Sequence, residues 1–142
     1  TTQLNQPGIA LSKMPEVHAL TDVTGFGLAG HLLEMSRGAN LRAYLNWRDI
    51  PVISEAVKFV KEDIYTGAST RNWQGYGGEV SFSSDIQPWQ QHLMTDPQTS
   101  GGLLIACAPE AKDRVLDLLH RSGFHEAKAI GYFGSGQGLA MT

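Results

Sequence analysis

The chain has 142 residues, 42% of them hydrophobic and 18% charged, with a net charge of −3. That length suits about one domain with a real core, and the weak negative charge gives no electrostatic footprint for nucleic acid or an anionic membrane surface. A single cysteine excludes an internal disulfide framework and any cysteine-based zinc cluster.

No apolar run approaches the length that spans a bilayer, and no charged-then-apolar leader opens the chain, so a cytoplasmic, membrane-free setting is expected. The chain starts at Thr1 without a methionine, in a polar stretch, as a piece of a longer protein would. Residues 1–15 are expected to be an extended lead-in, because Pro7, Gly8 and Pro15 discourage helix. Residues 16–142 are expected to form the domain proper.

Val17 to Thr21 reads as a short strand that ends at a glycine loop. From Phe26 to Arg37, Leu28, Leu32 and Met35 recur at helical spacing, with Gly38 as the expected stop. Leu41 to Trp47 alternates like a strand. Ser54 is placed to cap a helix through Ala56, Val57, Phe59 and Val60. Residues 63–83 hold Gly67, Gly75, Gly77 and Gly78 without a clear period. They are expected to form a long loop with a short strand near Val80 to Ser83.

Ser84 and Gln87 match a capping box for a helix using Ile86, Trp89 and Leu93, which must stop before Asp96-Pro97. Gly102 to Ala108 is a continuous apolar run, as expected of a strand buried on both faces. Pro109 suits the first position of a helix through Val115, Leu118 and Leu119, closed by Gly123. Ala127 to Phe133 is a further strand, Gly134 to Gly138 a turn, and Leu139 to Thr142 a last strand. The alternation predicts an α/β or α+β layered domain, a mixed β-sheet with helices packed on it.

Two strings carry the chemistry. In the first, Thr21-Asp-Val-Thr-Gly-Phe-Gly-Leu-Ala-Gly-His31, a carboxylate precedes a glycine loop that opens a helix. The free N–H groups and dipole of such a helix start suit a phosphate. Asp22 opposes it: at roughly 5 Å and an effective dielectric of about 20, the repulsion is on the order of 3 kcal/mol. A divalent cation between carboxylate and phosphate oxygens turns that repulsion into attraction. Asp22 is therefore a candidate metal ligand, with capping of exposed N–H groups as the competing role.

Gly25-Phe-Gly-Leu-Ala-Gly30 also matches the dinucleotide fingerprint G-x-G-x-x-G, with Asp49 about 20 residues on. A dinucleotide-binding module is thus an alternative. Against it, the preceding strand is brief and carries Thr21, Asp22 and Thr24, leaving Asp22 to face a pyrophosphate with no countercharge.

The second string is Thr95-Asp-Pro-Gln-Thr-Ser-Gly-Gly-Leu-Leu-Ile105. Its small polar residues and glycine pair can present hydroxyls and N–H groups to an anion, and they equally suit a tight turn, which Asp96 before Pro97 helps to shape. His18, His31, His92, His120 and His125 show no metal-ligand spacing and are read as solvated or core-edge residues. Cys107, inside the apolar run, is read as a small inert hydrophobe. Arg71 is read as an exposed loop arginine.

Together the two strings, with Arg71-Asn72 between them, resemble the C-terminal half of the selenophosphate synthetases. These are members of the wider family of aminoimidazole ribonucleotide synthetase-like ATP-dependent enzymes. Order and spacing both match, and the resemblance covers nearly the whole chain.

It implies a parent that makes selenophosphate, AMP and phosphate from ATP, selenide and water, requires Mg²⁺, and dimerises through its N-terminal halves. It also implies that Asp22 helps to hold metal ions on the ATP phosphates. Thr24, Gly25, Gly27, Thr99 and Ser100 would line the nucleotide. The family's reactive Cys or selenocysteine, its partner lysine and its other metal-binding aspartates belong to the N-terminal half and have no counterpart here. The chain alone is therefore expected to be inactive. Another ATP-dependent enzyme of the same structural family is the nearest rival.

Overall fold

A computed structural model describes residues 4–142. Six helices and six strands follow one another as α1 (Pro7–Leu11), β1 (Val17–Asp22), α2 (Gly27–Ala39), β2 (Arg42–Leu45), α3 (Ser54–Lys61), α4 (Gly67–Tyr76), β3 (Val80–Phe82), α5 (Pro88–Thr95), β4 (Leu103–Cys107), α6 (Lys112–Arg121), β5 (Gly131–Gly134) and β6 (Gly138–Met141).

The strands form two sheets. One has four strands in the order β3-β6-β2-β5, in which β6 runs parallel to both β2 and β3 while β5 is antiparallel to β2. This is the expected mixed sheet with helices on it. The second is an antiparallel ribbon of β1 and β4.

The main core lies between the mixed sheet and α2 and α5. It buries Ala29, Leu32 and Leu33 of α2, Met94 of α5, and Ala43, Leu45, Leu139 and Met141 of the sheet. A smaller core joins Leu11 of α1 and Val115 and Leu119 of α6 to Leu20, Leu103 and Ile105 of the ribbon. The two-residue period of β4 explains its unbroken apolar run, since Leu103, Ile105 and Cys107 face the small core while Leu104 faces the large one.

Several elements differ from the sequence expectation. Pro7–Leu11, expected extended, is a helical turn: Pro7 sits where its missing N–H costs nothing, and Leu11 is fully buried. Residues 1–3 of the expected lead-in lie outside the described residues. Gly38 lies within α2, and Asn40 takes the left-handed stop instead (φ 52°). The Leu41 N–H bonds Ser36 O and the Asn40 N–H bonds Arg37 O, which completes a Schellman closure.

Gly67–Tyr76, expected to be loop, is a helix. Ser54 caps nothing, because its hydroxyl bonds the Glu55 carboxylate and the helix starts from Ile53. The capping box before α5 is formed by Gln87 and Gln90 rather than Ser84 and Gln87. The end of α6 meets the expectation: Gly123 is left-handed (φ 90°), and its N–H and that of Phe124 close on His120 and Leu119.

Candidate functional site

The ribbon brings the two strings together. Asp22 ends β1 and pairs with Leu103, which starts β4. In an antiparallel pair, the chain leaving one strand must meet the chain entering the other. The Val23 N–H donates to Gly102 O (3.0 Å), and the Gln98 N–H donates to Thr24 O (3.1 Å). The loops approach so closely that a Cβ on Gly101 would overlap the Val23 carbonyl. From the N-terminal side, the Asn5 amide donates to Asp22 Oδ1 (2.6 Å) and to Gly101 O (3.1 Å), tying the carboxylate to the second string.

Helix α4 grips the glycine loop from its other flank. Asn72 Nδ2 donates to Gly25 O and to Thr95 O, both at 2.9 Å. The Tyr76 hydroxyl donates to Phe26 O (2.6 Å). Burial pushes the Tyr76 phenol up to about 12, so it stays a donor across the physiological range.

Helix α4 is itself anchored to α5. Asp96 Oδ1 accepts the Thr66 hydroxyl (2.6 Å) and N–H (3.3 Å), and buried Ser69 lies 2.7 Å from the Thr95 hydroxyl. Asp96 thus braces the start of α4 in addition to shaping the turn before Pro97. Residues 69, 72, 73 and 76 share one helix face. That spacing was the available sign of a helix, carried by polar and aromatic side chains instead of aliphatic ones.

The second turn of α2 supplies a further grip. His31 is 7% exposed, and its Nε2 lies 3.1 Å from the Thr24 backbone nitrogen and 3.2 Å from its hydroxyl. Its Nδ1 lies 2.8 Å from Glu34 Oε2. Spacing alone gave no reason to single out His31, because its partners are a backbone amide seven residues back and a carboxylate one helical turn on.

The expected site residues sort clearly. Asp22 is exposed, and α2 begins at Phe26 without a side-chain cap, so Asp22 is not the helix cap that competed with metal binding. At an exposed site the effective dielectric approaches that of water, and its repulsion of a phosphate 5 Å away falls to about 1 kcal/mol.

Gly25 is open: nothing lies within 4 Å of a Cβ built there. Gly27 is not. Its N–H is engaged by Thr24 O, its φ is +66°, and a Cβ would lie 2.7 Å from Met94 O and 2.8 Å from the Thr95 carbonyl carbon. Gly27 thus packs against the end of α5 rather than facing a ligand. Thr99 and Ser100 are exposed in the turn that follows Gln98, beside the glycine loop.

The remaining candidates are structural or remote. His92 stacks on Tyr65 at 3.7 Å, His120 bonds Ala127 O, and His18 and His125 are exposed. The Cys107 thiol is pushed up by burial and by Glu110, which disfavours the reactive thiolate at neutral pH. Two open hollows of about 540 and 620 Å³ flank α6 and include no residue of the glycine loop.

Among the described residues, no three His, Cys, Asp or Glu side chains converge on one metal position. Asp22 offers a hard oxygen donor held by an amide, which fits Mg²⁺ as one ligand of a shared octahedral shell and not as a complete site.

The dinucleotide alternative does not survive the topology. In that fold β1 and β2 are parallel neighbours joined by α2, whereas here β1 pairs only with β4 and β2 belongs to the other sheet. The second fingerprint glycine, Gly27, abuts α5 where a pyrophosphate would approach. Asp49 accepts a hydrogen bond from Asn46 in a 3-10 turn.

Comparisons with known proteins bear on the family and the fold. The chain is 53% identical over 131 residues to a selenide, water dikinase of Burkholderia ambifaria, covering 92% of this chain and 37% of that protein. It is 50% identical over 137 residues to one from Dechloromonas aromatica, covering 96% and 39%. The chain therefore spans under two-fifths of the length of these curated relatives.

Among solved structures, Escherichia coli HypE matches with a TM-score of 0.60 at 18% identity, over 98% of this chain and 35% of that one. Thiamine-monophosphate kinase from Stenotrophomonas maltophilia matches with 0.50 at 16%, over 88% and 31%. At such identities these two show the fold. The family model described as AIR synthase related protein, C-terminal domain, matches residues 4–142, and the chain belongs to that family.

Proposed function

We propose that this chain is the C-terminal domain of a selenide, water dikinase and forms one wall of its metal–nucleotide cleft. The observation that carries the reading is the convergence of the two strings around an exposed carboxylate, held together by hydrogen bonds from the Asn5 and Asn72 amides and the Gln98 N–H. The similarity to proteins named selenide, water dikinase supports the same parent.

The parent would convert ATP, selenide and water to selenophosphate, AMP and phosphate, in the cytoplasm and as a homodimer built on its N-terminal halves. Asp22 would be one ligand to Mg²⁺, which neutralises phosphate charge during phosphoryl transfer. The open backbone at Gly25 would let phosphate approach. Thr24, Thr99 and Ser100 would line the nucleotide. One carboxylate cannot build an octahedral site, so the other ligands and the reacting groups would come from the N-terminal portion. The 142-residue chain alone would then be inactive.

The test is replacement of Asp22 with Asn in the full-length protein. Selenide-dependent ATP turnover should fall at least about 100-fold with a raised Mg²⁺ requirement, as expected when an anionic ligand is lost. Turnover and metal affinity both unchanged would end the proposal. Calorimetric titration of the isolated chain with Mg²⁺–ATP should show weak binding or none.

A further inference from the structure

Both nitrogens of the buried His31 ring are engaged, and their partners fix its tautomer. The Thr24 backbone N–H, 3.1 Å from Nε2, can only donate, so Nε2 must carry a lone pair. The ring proton is then on Nδ1, pointing at the Glu34 carboxylate 2.8 Å away. The Thr24 hydroxyl, 3.2 Å from the same Nε2, can bond it only as a second donor that shares this lone pair with the backbone N–H. A hydroxyl that points its proton inward turns its lone pairs outward. Thr24 is exposed, two residues beyond Asp22 on the same loop.

We propose that His31, oriented by Glu34, is a positioning residue. It holds the Thr24 amide and makes the Thr24 hydroxyl an oxygen acceptor for a cation-bound water beside Asp22. The proposal rests on reading the Asp22 loop as a metal–nucleotide wall, and it changes what Thr24 does there. With its proton turned toward His31, the hydroxyl presents lone pairs outward, which suit the polarised water of a hydrated divalent cation better than a phosphate oxygen. Glu34, at the i+3 position and half exposed, plays the part carboxylates play behind metal-site histidines, except that the imidazole here acts through a threonine.

The experiment uses the full-length protein, with selenide-dependent turnover measured against Mg²⁺ concentration at saturating ATP. Thr24→Val removes the hydroxyl but keeps the side-chain shape and the amide. His31→Ala removes the acceptor, and His31→Gln restores an amide oxygen near the Nε2 position. Thr24→Val and His31→Ala should each raise the Mg²⁺ concentration for half-maximal rate about tenfold, with His31→Gln within about threefold of the parent, the range seen for groups behind metal ligands. Nitrogen-15 spectra of histidine-labelled protein should show His31 protonated at Nδ1 alone.

A merely structural histidine would lower the folded fraction without moving the Mg²⁺ requirement. That result, or a ring protonated at Nε2, would overturn the proposal. If His31→Ala does not fold, Thr24→Val and His31→Gln carry the test. Failure here is separable from failure of the functional reading: Asp22→Asn inactive with Thr24→Val at the parental Mg²⁺ requirement defeats the His31 proposal alone. A parent that shows no selenide-dependent turnover defeats both.

Discussion

Alanine at Gly25 and at Gly27 should have opposite consequences, although the two glycines are two residues apart in one motif. At Gly27 the backbone is left-handed (φ +66°), which costs an L-residue about 1–2 kcal/mol. The new Cβ would also lie 2.7 to 3.0 Å from backbone atoms of Met94 and Thr95, which cannot swing aside as a side chain would. Overpacking of that kind costs about 1–3 kcal/mol. Stiffening of the unfolded chain by alanine offsets roughly 0.4–1 kcal/mol. The net expectation for Gly27→Ala is a loss of about 2–4 kcal/mol, or about 6–12 °C in Tm for a domain of this size.

At Gly25 the Cβ meets nothing and φ is not left-handed, so stability should stay within about 1 kcal/mol of the parent. The methyl would instead occupy the open space beside Gly25, and on the proposed reading it should weaken Mg²⁺–ATP binding by the full-length protein. Denaturant unfolding of both variants, paired with nucleotide titration, separates the two effects. A Gly27→Ala protein as stable as the parent, or a Gly25→Ala protein clearly destabilised, would refute the assignment of one glycine to packing and the other to access.

Replacing Asn72 with Ala removes two hydrogen bonds to the carbonyls of Gly25 and Thr95 and should cost about 1–3 kcal/mol. Asn72→Asp should be worse, because a carboxylate would face two carbonyl oxygens with no proton to share; faster amide exchange at residues 24–27 would accompany both. Tyr76 is raised from 10 to about 12 by burial, so its contribution is intact below pH 10 and lost as pH climbs from 10 to about 12. Ultraviolet titration should show a late-ionising tyrosine, an alkaline unfolding step should accompany it, and Tyr76→Phe should abolish that late ionisation. Cys107, held above its ordinary value by burial and by Glu110, should react with a thiol reagent at pH 7.5 more slowly than a free cysteine, and match it only after unfolding.

The elements legible in the sequence are those whose signals are apolar and local. Val115, Leu118 and Leu119 mark α6, and the unbroken run from Leu103 to Cys107 marks a strand that serves two cores. Asp22 and its loop drew notice in the sequence because a carboxylate before a glycine-rich helix start is an electrostatic conflict with a phosphate, although the exposure of Asp22 reduces that conflict to about 1 kcal/mol.

Helix α4 was illegible because its inward face is Ser69, Asn72, Trp73 and Tyr76, three of which bind by hydrogen bonds that hydropathy does not register. Gly38 drew the expected end of α2 two residues early because glycine is the commoner left-handed residue, while Asn40 performs that role here. The fingerprint around Gly25, Gly27 and Gly30 offered a rival reading for a similar reason. Glycine spacing reports close approach of something, and only the topology tells whether that something is a pyrophosphate or the end of α5.

The same contrast between apolar and polar construction bears on how the site behaves. The aliphatic core under α2 and the mixed sheet sets global stability, whereas the loops around Asp22 are joined by Asn5, Asn72 and Gln98, and the first is braced by His31, through individual hydrogen bonds. Each is worth about 0.5–1.5 kcal/mol, so the loop can open locally at much less than the cost of unfolding the domain. Single substitutions among these polar groups should therefore perturb metal and nucleotide binding before they perturb the fold. Core substitutions such as Leu33→Ala, at a fully buried position, should do the reverse, costing about 2–5 kcal/mol while leaving the folded fraction able to bind. Amide exchange would decide the matter: if residues 22–27 exchanged only with global unfolding, the loop would be part of the core and this division of labour would be wrong.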